Sequence, residues 1–169
     1  MSLPPRLGGL EAPQGTDARL VLHDAALDAA LELFVLSEAA LASTAEAALD
    51  GETRKLGRGH WRIAFLLKRR PGLGVQALAN LTGLSKQGTS RTLADLEAAG
   101  LVTKEAGEDA RRRHAVLTDA GQAFEQKVSE RLRAHLARGF RAGGLDAVPA
   151  ARRIIAAVAG PRAQQRERP

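Results

Sequence analysis

No cysteine and no tyrosine occur among the 169 residues, and there is one tryptophan. Without cysteine there is no disulfide framework, no thiolate-ligated zinc or iron–sulfur cluster, and no thiol redox sensor. Aromatic residues amount to 3%, which argues against the stacking platforms that hold single-stranded nucleic acid. No apolar run approaches the ~18–20 residues of a membrane span. The N-terminal stretch MSLPPRLGGLEAPQG lacks the apolar core of a signal peptide. A soluble cytoplasmic protein with no membrane partner is the expectation. The chain has no phosphate loop, no G-x-S-x-G and no paired-carboxylate signature. Its histidines, His23, His60, His114 and His135, are scattered, with no i, i+4 pair beside an acidic residue. Neither an enzyme nor a metal or cofactor site is expected.

What is present is basic charge and alanine. The net charge is +6, which favours a polyanionic partner. It is unevenly spread. Residues 1–50 carry two basic and eight acidic residues, residues 51–121 carry 13 and seven, and residues 122–169 carry ten and four. An acidic N-terminal helix packed near basic C-terminal helices would leave the middle of the chain for a polyanion. Much of the 44% hydrophobic content is alanine, the best helix former, so the chain reads as mainly helical.

The organisation follows from periodicity and breakers. Residues 1–16 are rich in Pro and Gly and read as a flexible arm. Residues 17–50 lack both; Leu20, Leu27, Phe34, Leu41 and Ala48 recur every seven, the stripe of a long amphipathic helix ended by Gly51. Residues 58–70 form a second helix, stopped by Pro71-Gly72. A short helix from Val75 to Leu81, the turn Thr82-Gly83-Leu84 and a helix from Ser85 to about Ala99 make a helix-turn-helix signature. Leu78, Leu84, Leu93 and Leu96 would fill its small core. Strands at 101–104 and 115–117 enclose a charged turn, Glu105 to Ala110, and together form a wing. Thr118 caps a helix with Phe124, Val128, Leu132, Leu136 and Phe140 at i+4, which Gly139, Gly143 and Gly144 weaken and end. A last helix runs from Asp146 to Val158, and residues 161–169 read as a basic disordered tail. The expected fold is mainly α with a small β-wing: a winged helix-turn-helix over 51–121, flanked by helices at 17–50 and 122–160.

The segment PGLGVQALANLTGLSKQGTSRTLADLEAAGLV, followed by EDARRRHAVLTDAG, resembles the MarR family of bacterial transcription regulators. GRGHWR, RRPGL and SKQ look most like its PetP-like branch. The resemblance implies a homodimer whose first and last helices interlock, each subunit presenting one winged helix to double-stranded DNA, so that the site is a pseudo-palindrome. It implies a regulator, more often a repressor, and in many members a small aromatic or anionic effector held between the dimer helices and the winged helix. Three features depart from the family. Thr89 and Thr92 stand where aliphatic residues are usual, Gly88 lies early in the reading helix, and the wing keeps Asp109 and Arg111 around Ala110.

These patterns nominate residues. On the reading helix Gln87, Ser90 and Arg91 are the candidates for base edges, because Gln matches adenine and Arg matches guanine in the major groove. Ser85, Lys86 and Thr89 are the candidates for phosphate or mixed contact. On the wing, Arg111 suits a narrow minor groove, Arg112 and Arg113 accompany it, and Asp109 would tether an arginine. Arg69 and Arg70 either touch phosphate or complement their helix end. His60, Trp61, Arg62 and Phe65 would line an effector pocket, or serve only the core. Leu20, Leu27, Phe34, Leu132, Leu136, Ile154 and Ile155 are the expected dimer interface. Two other readings compete: a winged-helix module for protein partners, and a sequence-tolerant chromosome-coating protein.

Overall fold

The structure, a computed structural model, describes residues 22–50, 56–106 and 113–161. The expected N-terminal arm, Leu20, Gly51, Asp109, Arg111, Arg112 and all but the first residue of the basic tail lie outside the described residues. The chain divides into two compact units, residues 1–39 and 40–169.

The described part of the first unit is one helical segment. Helix α1 spans Asp24–Leu49 and starts later than the apolar repeat predicts. The imidazole Nδ1 of His23 accepts a hydrogen bond from the Ala26 N–H at 3.2 Å, which closes the first turn. Leu27, Leu31 and Phe34 are exposed along one side, and Leu33 and Leu36 along the opposite side. The seven-residue repeat accounts for the first side only. A helix apolar on two sides needs cover on both.

In the second unit, the end of α1 contributes Ala45, Ala48 and Leu49 to the core. Helix α2 spans Arg58–Arg69 and buries Ile63, Ala64 and Leu67. Helix α3 (Val75–Thr82) ends at Gly83, whose φ of 75° is the left-handed conformation that glycine adopts without penalty. Helix α4 (Lys86–Ala98) is capped by the Ser85 hydroxyl, which accepts from the Gly88 N–H at 3.0 Å. Beyond α4, the Leu101 N–H returns to the Leu96 carbonyl at 2.9 Å around Gly100. Leu78 and Leu96 are fully buried between α3 and α4, with Leu84 and Leu93 packed against them.

Strands β1 (Val102–Ala106) and β2 (Arg113–Leu117) pair antiparallel, with Val102 opposite Leu117 and Ala106 opposite Arg113. They are longer than the sequence suggests: Glu105 and Ala106 extend the ladder instead of belonging to the turn. Helix α5 (Asp119–Gly143) is capped by Thr118, whose hydroxyl accepts from the Gly121 N–H and donates to the Gly100 carbonyl. It runs through Gly139, and only Gly144, at φ 93°, breaks it. A short 3₁₀ turn, Leu145–Ala147, precedes α6 (Val148–Ala159), which has a proline in its first turn. The first turn of α5 lies close against the chain. A Cβ at Gly121 would stand 1.9 Å from the Leu101 carbonyl oxygen.

One core joins these pieces, with Ile63, Leu78, Leu96, Leu101, Phe124 and Val128 among its members. Leu132 belongs to it, 7% exposed. That corrects its assignment to the dimer interface: its position on the i+4 row after Phe124 and Val128 carries it into the core of its own chain. Leu136, one turn later, is exposed, as are Ile154, Ile155 and Val158 on α6. Among the described residues no helix is long and apolar enough to cross a membrane.

Candidate nucleic-acid interface

Helix α4 has two faces. Leu96 and Thr89 point into the core, while Ser85, Lys86, Gln87, Ser90 and Arg91 are exposed. The spacing explains this. Lys86 and Ser90 are four apart, as are Gln87 and Arg91, so the four share a face. That face carries two cations, Lys86 and Arg91, and two neutral groups, Gln87 and Ser90, able to bond to base edges or phosphates. Ser85 caps the helix and stays exposed at its start, where the helix dipole and free N–H groups favour an anion.

Thr89 is a correction. It is wholly buried, and its hydroxyl donates to the Ser85 carbonyl at 3.0 Å. It cannot reach a phosphate from there. It fills the core position for which the MarR pattern prefers an aliphatic side chain, and it satisfies its hydroxyl on its own helix.

The wing is described only at its base. Arg113 opens β2, opposite Ala106. Lys104 on β1 pairs with Glu97 of α4 at 2.6 Å, which ties the wing to that helix. His60 Nε2 lies 3.4 Å from Asp95 Oδ2, a second link onto α4.

The residues expected to line an effector pocket are mostly engaged. The His60 Nδ1 accepts the Gly57 N–H at 2.9 Å, and its other ring nitrogen faces Asp95. The Trp61 indole N–H donates to the Ser129 hydroxyl at 3.1 Å. Phe65 stacks at a tilt on Trp61, 5.2 Å between centroids, and the Arg69 guanidinium lies 3.5 Å from the Phe65 ring centre. Of the four, Arg62 has no hydrogen-bond or ion-pair partner among the described residues.

A charged cluster that the sequence reading missed lies next to these residues. Glu125 of α5 is fully buried. Lys68 Nζ donates to its Oε2 at 2.6 Å, Arg69 donates to its Oε1 at 3.0 Å, and the Ser129 hydroxyl also donates to Oε1. Burial raises the carboxyl pKa, but the bonds from Lys68, Ser129 and Arg69, with the Lys68 charge, outweigh it and hold Glu125 below its ordinary value. Arg69 is thereby drawn to α5 rather than free for phosphate. Arg70 keeps its Nη1 buried without a hydrogen-bond partner among the described residues. A signal existed in the sequence: Gly121, Glu125 and Ser129 are spaced by four, beside the apolar row of Phe124 and Val128.

A sequence profile of the MarR family matches residues 55–113, which span α2 to the wing. The HTH-type transcriptional regulator PetP of Rhodobacter capsulatus is 32% identical over 148 residues, 87% of this chain and 88% of its own. The chain belongs to the MarR family. Solved MarR structures share the fold. A MarR family transcriptional regulator from Rhodococcus sp. RHA1 superposes with a TM-score of 0.66 at 19% identity, over 82% of this chain and 98% of that one. The Mycobacterium tuberculosis MarR family protein Rv2887, in complex with salicylic acid, superposes with a TM-score of 0.58 at 25% identity, over 75% and 93%. The protein is therefore a MarR-family transcription regulator with a winged helix-turn-helix. Its relatives are regulators, not enzymes.

Proposed function

We propose that this MarR-family regulator acts as a homodimeric repressor that binds a pseudo-palindromic operator in double-stranded DNA and is released by a small-molecule effector. The observation that carries the DNA reading is the exposed row Lys86, Gln87, Ser90 and Arg91 on α4, opposite buried Thr89 and Leu96. Gln87, Ser90 and Arg91 read base edges; Ser85 and Lys86 hold phosphates. Arg111 enters the adjacent minor groove, accompanied by Arg112 and by Arg113 at the base of the wing, and Asp109 tethers an arginine of the wing.

The dimer reading rests on unpartnered apolar surface at both ends of the chain. Leu27 and Phe34 on α1, Leu136 on α5 and Ile154 and Ile155 on α6 are all exposed in the single chain. Surface of this kind marks an interaction site in a water-soluble protein. Two-fold symmetry then sets two reading helices one DNA turn apart. The effector reading is supported by the salicylic acid bound to the Mycobacterium relative.

Selection from randomised duplexes at two salt concentrations tests the whole reading. A specific dimer enriches a palindrome with half-sites about one helical turn apart. Salt-sensitive retention without an enriched sequence would instead mean a chromosome-coating protein. No retention at all would mean a protein partner, or an effector required for binding.

A further inference from the structure

Helices α2, α3 and α4 pack as one body through Ile63, Leu78 and Leu96, all fully buried. His60 adds a polar link from α2 to Asp95 of α4 at 3.4 Å. Helix α5 meets this body at Phe124 and Val128, and at the buried carboxylate of Glu125. We propose that Glu125 is a positioning residue: its grip on Lys68 and Arg69 fixes the angle between α5 and the helix-turn-helix, and with it the half-site spacing that the protein accepts. The angle is a property of the single chain. The spacing rests on the DNA reading proposed above.

Energetics is the first argument. A buried carboxylate is a costly way to hold two helices together. Desolvation offsets much of what its ion pairs contribute, and a well-packed apolar side chain of similar volume is often as stable or more so. What the carboxylate adds is direction. Apolar burial has no direction of its own, whereas a hydrogen bond weakens steeply as its angle closes. Lys68 Nζ donates to Oε2 at 2.6 Å, and Arg69 at 3.0 Å and the Ser129 hydroxyl donate to Oε1. Two of these donors belong to α2 and one to α5. A slide or tilt of α5 therefore draws the carboxylate off both α2 donors together.

The grip is braced by a closed ring of side chains. Trp61, Phe65 and Arg69 are four apart on α2, and Glu125 and Ser129 are four apart on α5, so each set lies on one face. The Trp61 indole N–H donates to the Ser129 hydroxyl at 3.1 Å, Phe65 packs on Trp61, and Arg69 lies 3.5 Å from the Phe65 ring centre. Arg69 and Ser129 then meet on Glu125 Oε1. The single hydroxyl proton of Ser129 goes to Glu125, and the indole supplies the other bond, so the donors have one arrangement.

Placement is the third argument. Lys68 and Arg69 end α2, Gly72 turns the chain at φ 80°, and α3 begins at Val75. The grip holds the last turn before the chain enters the helix-turn-helix. Beyond Ser129, α5 runs on to the exposed Leu136, on the surface that the proposed second copy covers. Glu125 thus stands at the joint between the helix-turn-helix and the two-fold axis. A tilt of about 10° at that joint moves a point about 20 Å away by about 3.5 Å, close to one base-pair step.

The test uses the absence of cysteine, which lets two introduced cysteines carry spin labels. Gln76→Cys on α3 and Arg133→Cys on α5 are both exposed sites, and excess unlabelled chain keeps the measured pair within one subunit. The natural chain should give one narrow distance. Glu125→Gln, which keeps the shape and removes the charge, should shift or broaden it by about 3 Å. Val128→Ala, a core change on the same helix outside the hydrogen bonds of the grip, should lower Tm and leave the distance unchanged. Duplexes of graded half-site spacing give the second readout. The natural chain and Val128→Ala should prefer one spacing about tenfold over its neighbours, and Glu125→Gln about threefold or less. Lys68→Met, which removes one bond and leaves the carboxylate buried, should move both readouts in the same direction and stands in if Glu125→Gln does not fold. An unchanged distance in the folded variant overturns the proposal. So does an equal loss of spacing preference in Val128→Ala, since the role of Glu125 would then be structural only. A natural chain that prefers no palindrome defeats the proposed function instead, and the label distance still decides whether Glu125 sets the angle.

Discussion

Glu125 on α5 and Lys68 on α2 meet at 2.6 Å, the carboxylate side chain 1% exposed and the lysine 36%. The pair joins two helices 57 residues apart in sequence, at the point where α2 hands the chain to the helix-turn-helix. The asymmetry in exposure decides the energetics. Glu125 cannot recover water if it loses its partners, whereas Lys68 and Arg69 can.

Replacing Glu125 by Ala should therefore destabilise the fold by about 2 kcal/mol, less than the full cost of breaking a fully buried pair, since the two cations turn to solvent. The pH dependence follows from the lowered pKa. The unfolded chain binds this proton at a higher pH than the native chain does. The stabilisation is thus fully present above the unfolded value and is lost as the pH falls through the lower native value. Thermal melts between neutral pH and about pH 3 should show a smaller acid-induced fall in Tm for Glu125→Gln than for the natural chain. An equal fall would mean that Glu125 ionises as it does in the unfolded state.

Two glycines of α5 should respond oppositely to alanine. At Gly121 a Cβ would meet the Leu101 carbonyl at 1.9 Å, so the helix must move, at a cost of about 3 kcal/mol or more. At Gly139 a Cβ meets nothing within 4 Å, and the exposed helical site should gain about 0.5–1 kcal/mol. Urea denaturation of the two variants checks both signs.

Thr89→Val should keep DNA affinity within about twofold, because the residue is buried, and should leave stability equal or slightly higher. The Ser85 carbonyl still receives the residue 89 N–H at 2.9 Å after the hydroxyl is gone. A tenfold loss of affinity with the melting temperature intact would return Thr89 to the DNA face.

Lys86→Ala and Arg91→Ala should differ in kind. The lysine variant should weaken all duplexes alike and reduce the salt slope by about one. The arginine variant should lose about 1–3 kcal/mol on the selected operator and relax preference at particular base pairs. Fluorescence anisotropy on operator and random duplexes separates them. Identical behaviour on both would remove Arg91 from the base-reading role.

Leu27→Asp places a charge on the exposed apolar side of α1. Sedimentation should report single subunits, and binding to the palindrome should disappear. A variant that remains dimeric and binds would exclude α1 from the interface.

The helix-turn-helix was legible because its signals are local. Ser85 four residues before Thr89, Gly83 in the turn and Gly100 after α4 are caps and breakers that act within one turn of chain. The apolar period of α4 put Leu93 and Leu96 inward and Lys86, Gln87, Ser90 and Arg91 outward without knowledge of any partner. Thr89 went astray because a hydroxyl was read as polar and therefore outward. The same period that buries Leu96 buries Thr89, and only the carbonyl of Ser85 shows how its hydroxyl is accommodated. Leu132 went astray in a similar way: an apolar position on a long helix meets either its own core or a second copy, and spacing alone does not distinguish them.

Sequence alone settled the order of the helices, the exposed face of α4 and the exclusion of cysteine chemistry, since each depends on neighbours a few residues away or on composition. Tertiary structure decided which distant groups share space. Glu125 with Lys68 and Arg69, Trp61 with Ser129, Thr44 with His135 and Gly121 against Leu101 all bring together residues that local periodicity cannot relate. Burial sets the energy of such contacts, because removing water makes an unpaired charge costly and a paired one selective, and burial is a property of the packed chain.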